Sequence, residues 1–270
     1  MRKLLPIVLL LKLTLAYAGG DNLPMGARFA GMGYTGLTLA DLWGVRLNPA
    51  GIAGVEVPTA GLFYQRHFLS EELSHQGLAV ALPVGSGVFA VAADRFGYTA
   101  YNETHTSLAY GMSFGDGLRA AVQMDHLGVR LGENYGSAGT FIAQVGMQAR
   151  LTENIWMGAH LYNPTRASIG GPYDERVPTI LRAGLTYTFS DKLLMNAEAE
   201  KDIDQEERYR FGIEYRPNTT LFVRTGISTG PIQAHGGVGF RVKQLDIDLA
   251  VAVRSLLGPT PMLGLNYRFK

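Results

Sequence analysis

The chain has 270 residues, 47% of them hydrophobic and 17% charged, and carries a net charge of +1. It has no cysteine, which excludes a disulfide framework and a thiolate metal site, and 24 basic against 23 acidic residues leave no basic excess for nucleic acid. The 34 glycines far exceed ordinary usage of about 7%, and a crowded strand interior, where backbone and side chains approach closely, is the structural reason for them.

Residues 1–18 have the form of a signal peptide. Met1, Arg2 and Lys3 give a positive start, residues 4–15 an apolar run broken only by Lys12, and Ala16-Tyr17-Ala18 a small-x-small cleavage site before Gly19. The run is shorter than the roughly 20 residues a spanning helix needs. After residue 20 no stretch of about 18 apolar residues is free of charge, so spanning helices are excluded.

Residues 19–54 do not fit a strand pattern. They hold Gly26-Ala27-Arg28-Phe29-Ala30-Gly31-Met32-Gly33, a helix-compatible stretch near residues 41–45, and then Asn48-Pro49-Ala50-Gly51. Irregular backbone of this kind can lie at membrane depth only where a lumen wall satisfies its polar groups. The segment is read as a hatch or plug.

Residues 55–270 form a series of period-two segments separated by turn residues, the pattern of a transmembrane β-barrel. In residues 140–151, Phe141, Ala143, Val145, Met147, Ala149 and Leu151 share one face, and Thr140, Gln144, Gly146, Gln148 and Arg150 the other, with Ile142 an apolar intruder. Segments start near Val57, Ser74, Gly87, Thr104, Leu118, Ala138, Ile155, Pro178, Lys192, Arg208, Leu221, Ile232, Leu245 and Pro261. About fourteen strands is an even count that returns the chain to one side. Tight-turn sequences (Gly85-Ser86, Gly115-Asp116-Gly117, Thr152-Glu153-Asn154, Ser190-Asp191-Lys192, Pro217-Asn218-Thr219 and Lys243-Gln244) alternate with longer polar connections at residues 96–103, 129–137, 163–177 and 202–207. Short turns are expected on the periplasmic side, with both mature termini, and the longer loops outside. Phe114, Tyr187, Phe189, Tyr215, Phe240, Tyr267 and Phe269 fall at the short-turn end of alternate strands, as an interfacial girdle requires.

A soluble sandwich would alternate too, but its polar face meets bulk water. Here that face carries Arg119, Asp125, Arg150, Arg182, Glu198, Glu200, Arg210, Glu214, Arg224, Arg241, Asp246, Asp248 and Arg268, mixed with glycine. This composition suits a confined lumen in which opposite charges pair. The fold class expected is therefore all-β, a transmembrane antiparallel barrel of about 14 strands. Its radius would be about 14 Å, wide enough to admit solutes unless the hatch fills it.

No catalytic or metal motif appears. His67, His75, His105, His126, His160 and His235 are scattered, and HExxH and phosphate-loop patterns are missing, so no enzyme activity, metal or cofactor is expected. The tract with Asp204, Glu206 and Glu207 reads as a solvated loop rather than as a site that binds Ca²⁺ or bridges lipopolysaccharide. Gly170-Gly171 and Gly236-Gly237 are places where strand pairing could weaken, although ordinary lumen crowding or a turn is the better account of glycine there.

The stretch GARFAGMGYTGLTLADLWGVRLNPAGIA at residues 26–53 resembles the amino-terminal signature of the long-chain fatty acid transporter (FadL) superfamily of outer-membrane proteins, nearest its shorter PorV- and PorQ-like barrels. Gly31, Gly33, Asp41, Asn48, Pro49 and Ala50 carry that hatch motif. LYNPTRA, RAGLTYTFSDK, FGIEYRP, VRTGIS and GVGFRV extend the likeness along the chain. The resemblance implies a fourteen-stranded barrel with a hatch in its lumen, passing a small hydrophobic ligand. Some of the shorter members serve type IX protein secretion, which implies instead an accessory barrel holding a secretion-system or periplasmic protein. Both readings place the chain in the bacterial outer membrane among lipid.

Overall fold

The computed structural model describes residues 22–132, 136–170, 175–255 and 257–270, and the expected signal peptide lies outside them. The chain begins with α1 (Ala27–Gly31) and two 3-10 turns (Leu42–Arg46 and Pro49–Gly54). Then follow β1 (Thr59–Arg66), β2 (Ser74–Val84), β3 (Gly87–Gly97), β4 (Tyr101–Phe114), β5 (Leu118–Leu131), β6 (Ser137–Arg150) and β7 (Ile155–Tyr162). A small hairpin, β8 (Ser168–Ile169) and β9 (Glu175–Arg176), precedes β10 (Ile180–Ser190), β11 (Leu193–Asp202), β12 (Arg208–Tyr215) and β13 (Leu221–Ser228). The chain ends with β14 (Gln233–Val242), β15 (Leu245–Arg254) and β16 (Gly258–Arg268).

Fourteen of these strands, all but β8 and β9, form one closed antiparallel barrel. Closure is made by β1, whose Phe63 stands opposite Gly77 of β2 on one side and Gly264 of β16 on the other. Each strand start anticipated from the periodicity lies within three residues of the observed one. Lipid on one face and lumen on the other give a strand a strict alternation, which is why so weak a signal places it.

The alternation is inside out. Phe141 is 64% exposed and Val122 60%, whereas Asp125 and Glu214 are fully buried. The outer wall is therefore a continuous apolar surface and the inner wall a polar one, the arrangement of a membrane-spanning barrel. Ile142, the intruder, points inward with Leu127, Val129, Tyr162, Ile169, Val177 and Ile180 in an apolar cluster beneath the β8–β9 hairpin. Asn163 shapes that hairpin: its amide donates to the Ala167 and Val177 carbonyls at 3.1 and 3.0 Å and accepts from the Ala167 N–H at 2.9 Å.

The tight turns fall at one end of the barrel, the turn end, where β1 starts and β16 finishes. Left-handed backbone at Gly85, Gly115 and Lys243 makes three of them. The seven aromatics expected there are all exposed on the outer wall. The opposite, loop end departs from expectation. β3 and β4 are joined through residues 98–100 alone, closed by Tyr98 N–H donating to the Tyr101 carbonyl at 2.7 Å, so the long connection expected over 96–103 is mostly strand. Residues 129–137 likewise shorten to 132–136. The polarity taken for a loop belongs to strands that continue beyond the apolar band: Thr104, Thr106, His126 and Arg130 face outward and are exposed. β4, β5 and β6, with 14 residues each, are the tallest part of the wall.

Candidate functional site

Residues 22–55 pack within the barrel against the glycines of its inner wall. A methyl group at Gly212 would strike Thr35 and Met32, one at Gly146 would strike Asn48, and one at Gly158 would meet the Leu37 carbonyl. Gly111 likewise abuts Ile52 and Ala53, and Gly264 abuts Ala27. Much of the glycine excess is thus the contact surface for this segment.

Two groups of polar contacts hold it. On the β12–β16 side, the Arg28 guanidinium donates to both Glu214 oxygens, at 2.9 and 3.0 Å, and to Asp41 at 3.0 Å. Burial would lower the Arg28 pKa, but Glu214 and Asp41 outweigh it and hold the group above the usual arginine range. Glu214 also receives Arg216 and Arg224, each at 2.7 Å, so three guanidiniums converge on one fully buried carboxylate. Asp41 caps the first 3-10 turn by accepting the Trp43 N–H at 3.0 Å, and the Trp43 indole donates to Asn266 at 2.8 Å.

On the other side, a polar belt crosses nine consecutive barrel strands. His75 bonds Asp94 at 2.9 Å, and Asp94 takes Arg46 of the segment at 3.2 Å. Arg46 reaches His105 at 2.8 Å, which pairs with Asp125 at 3.2 Å. Gln123 and Gln144 donate to Asp125, and His160 bonds Gln144 at 2.7 Å. Arg182 then pairs with Glu200 at 2.6 Å, which also takes Arg210 at 2.8 Å. The belt holds the segment through its backbone as well, Arg182 donating to the Leu47 carbonyl at 3.1 Å and Gln123 to that of Val45 at 3.0 Å.

The hatch-motif residues fall into distinct structural positions. Asn48 caps the second 3-10 turn, its side-chain oxygen accepting the Ala50 N–H at 3.1 Å, with Pro49 preset for the first turn position. Its amide donates to the Leu37 carbonyl at 2.7 Å and to Met147 of β6 at 3.2 Å. Gly31 lies against Gly237 and Arg224, and Gly33, with φ of +73°, lies against the backbone of Ile227 and Phe211. Asn48→Ala removes a cap and two buried acceptor partners, so a loss of about 2 to 4 kcal/mol is expected, seen as faster protease cleavage within residues 22–58 while the folded barrel persists on a gel.

Of the charged residues expected on the inner wall, Asp125, Arg182, Glu198, Glu200, Arg210, Glu214, Arg224 and Asp248 are buried in the lumen. Glu198 accepts the Gly36 and Leu37 N–H groups at 2.6 and 2.7 Å, and Arg224 donates to Asp248 at 2.5 Å. The other five sit at the turn end and not deep in the lumen. Asp246 gathers Arg241 at 2.7 Å and Arg268 at 3.2 Å, Arg119 lies 4.6 Å over the Trp156 ring, and Arg150 is exposed. They end their strands, where alternation continues past the lumen into solvent. Gly236-Gly237 is no weak point: both residues pair with β13 and β15 throughout. Gly170 has nothing within 4 Å of a Cβ position, and Gly171 lies outside the described residues.

Sequence reasoning did not single out Arg28, Arg46, Tyr34 or the belt glutamines. Two arginines inside a glycine-rich, otherwise apolar stretch were the available signal.

Cavities remain beside the segment. One at the loop end, about 290 Å³, is lined by Leu23, Tyr34, Gln65, His67, Arg208, Arg210, Arg254 and their neighbours. Burial, with a smaller push from His75, lowers His67 to about 4, so its ring is neutral there at neutral pH. Another of about 290 Å³ at the turn end is lined by Arg28, Asp41, Arg216, Phe222, Arg224 and Asp248. Both run along β12–β16, and α1, which packs on β13–β16, lies between them. Leu23 at the loop-end cavity places the start of the described chain on that side, opposite the end of β16, while the mature terminus expected at residue 19 lies outside the described residues. A third hollow, about 590 Å³, opens on the outer wall around Gly77, with Leu62, Leu78, Leu263 and Leu265 about it and Met25 behind.

This architecture is found in known channels. The chain superposes on the CymD monoaromatic hydrocarbon channel with a TM-score of 0.70 and 13% identity over 93% of this chain and 99% of that one. With the toluene transporter TodX of Pseudomonas putida the TM-score is 0.72 at 12% identity, covering 92% and 99%. A FadL homologue of Pseudomonas aeruginosa gives 0.65 at 11%, covering 93% and 100%. The fold is that of the FadL-type barrels. No family model matches the chain, and no curated protein does. At these identities the likeness establishes the FadL-type fold and leaves the cargo open.

Proposed function

We propose that this protein is an outer-membrane transport barrel in which residues 19–54 act as a hatch, gating passage of a small hydrophobic molecule. The observation that carries the reading is the pair of cavities on β12–β16 with α1 between them. Moving α1 aside would join them into one route from loop end to turn end. The resemblance in fold to channels for monoaromatic hydrocarbons supports a cargo of that kind. The hollow at Gly77, backed by Met25 of the same segment, offers a side exit under the same control.

Deleting residues 20–51 is the direct test. Conductance in planar bilayers and toluene uptake into vesicles should both rise severalfold over the intact protein, and no rise in either would refute the hatch.

The short loop-end connections favour a second reading, since residues 98–100, 132–136 and 203–207 leave little surface for capturing a ligand. On that reading the barrel is an accessory that holds a secretion-system or periplasmic protein. Loss of a co-purifying protein upon the same deletion, with conductance unchanged, would select it.

A further inference from the structure

The loop-end cavity is not lined as a site for an uncharged hydrocarbon would be. Among the described residues its lining has three arginines, Arg208, Arg210 and Arg254, and no carboxylate. The nearby acid is Glu200, and it is already shared: Arg182 holds it at 2.6 Å and Arg210 at 2.8 Å, with Arg208 at 3.6 Å. Arg208 gives its other terminal nitrogen to Gln205 at 2.7 Å. The guanidinium of Arg254, which faces inward at the end of β15, has no hydrogen-bond or ion-pair partner among the described residues.

A cation in a concave, half-buried site is stabilised by an anion far more than by an apolar molecule. The turn-end cavity makes the contrast. There Arg28, Arg216, Arg224 and Arg241 are matched by Asp41, Glu214, Asp248 and Asp246. Of the two cavities along β12–β16, the one at the loop end, where a solute would arrive, thus carries arginine without matching acid among the described residues, and the one at the turn end is balanced.

The rest of the lining tells what the anion carries. Phe68, Pro231, Ala252 and Met262 give the cavity an apolar side. The Thr260 hydroxyl accepts the Phe68 N–H at 3.1 Å and keeps its own proton for an oxyanion, while the Ser228 hydroxyl is shared with His235 at 3.0 Å. At about 290 Å³ the cavity has room for a single ring bearing a carboxylate, since a hollow of about 150 Å³ takes benzene.

We infer that the loop-end cavity binds a compact organic acid, a carboxylate on a small apolar body. This rests on the passage proposed above and changes its cargo: in place of a neutral hydrocarbon, the small hydrophobic molecule admitted carries a carboxylate, and Arg254 with Arg208 recognises it.

The test is calorimetry on the full-length purified protein in detergent, with benzoate, its neutral counterpart benzyl alcohol, and inorganic phosphate. Benzoate should bind at least tenfold more tightly than either of the others. In Arg254→Met and Arg208→Met the ratio of benzoate to benzyl alcohol affinity should fall at least tenfold, and Arg254→Lys should keep most of it. Folding of each variant is checked by its heat-dependent gel mobility, and the wild-type comparison stands even if a variant fails it. Equal affinity for benzoate and benzyl alcohol, or an unchanged ratio in both methionine variants, would overturn the inference. Phosphate binding as tight as benzoate would also overturn it, assigning a bare oxyanion site such as a lipid phosphate would fill. The two proposals fail separately: toluene flux that rises on hatch deletion without benzoate preference removes the acid alone, and benzoate binding with unchanged flux removes the passage alone.

Discussion

Glutamine in place of Glu214 is expected to destabilise the protein by about 3 to 5 kcal/mol, the range for removing one partner from a buried ion-pair network. The residue is fully buried and receives Arg28, Arg216 and Arg224. A neutral amide leaves Arg28 with Asp41 and Arg224 with Asp248, and Arg216 without a carboxylate. Repulsion among the three guanidiniums, previously offset, then acts on α1, because Arg28 is the one of them on the N-terminal segment. Urea unfolding in lipid vesicles should show the loss, and protease should cut residues 22–58 at urea concentrations that leave the barrel closed. A variant as stable as wild type, with the segment equally protected, would mean that the glycine contacts alone retain it.

Arginine at Val145 should cost about 2 to 4 kcal/mol, as a charge near mid-strand on the lipid face does. Val145 is 48% exposed on the outer wall, between inward-facing Gln144 and Gly146. Leu249, 45% exposed, is an equivalent site on β15. Gln144 is not the harmless comparison that its polar face suggests, because it bridges Asp125 and His160 in the belt. Asp116, exposed in the turn between β4 and β5, is the better control, and arginine there should cost well under 1 kcal/mol. Equal costs at Val145 and Asp116 would remove the argument that the outer wall faces lipid.

The barrel was legible because its physics repeats every second residue. Phe141, Val145 and Met147 could be set on one face, and Gln144 and Gln148 on the other, from that period alone. Strand ends at the loop side were not legible over Phe96 and Glu103, because strand outside the apolar band is as polar as a loop. Within residues 19–54, Asp41 and Asn48-Pro49 were marked out by the family motif alone; that they cap the two 3-10 turns is a finding of the structure, although capping is local chemistry written within three residues. The partner of Arg28 lies 186 residues away, and nothing local connects them. Arg46 and Asp94 are separated in the same way. The even spread of charge along the polar face also hid a division between buried residues such as Arg224 and rim residues such as Arg150.

Because α1 rests on β13–β16 while the Pro49–Gly54 turn rests on β3–β6, a single short stretch touches staves from both the beginning and the end of the chain. It cannot find its full set of neighbours until the last stave has been synthesised and docked beside the first. Folding must therefore be concerted, with the cylinder shutting around its own filling, and a truncated product lacking β13–β16 would have nowhere to lodge α1.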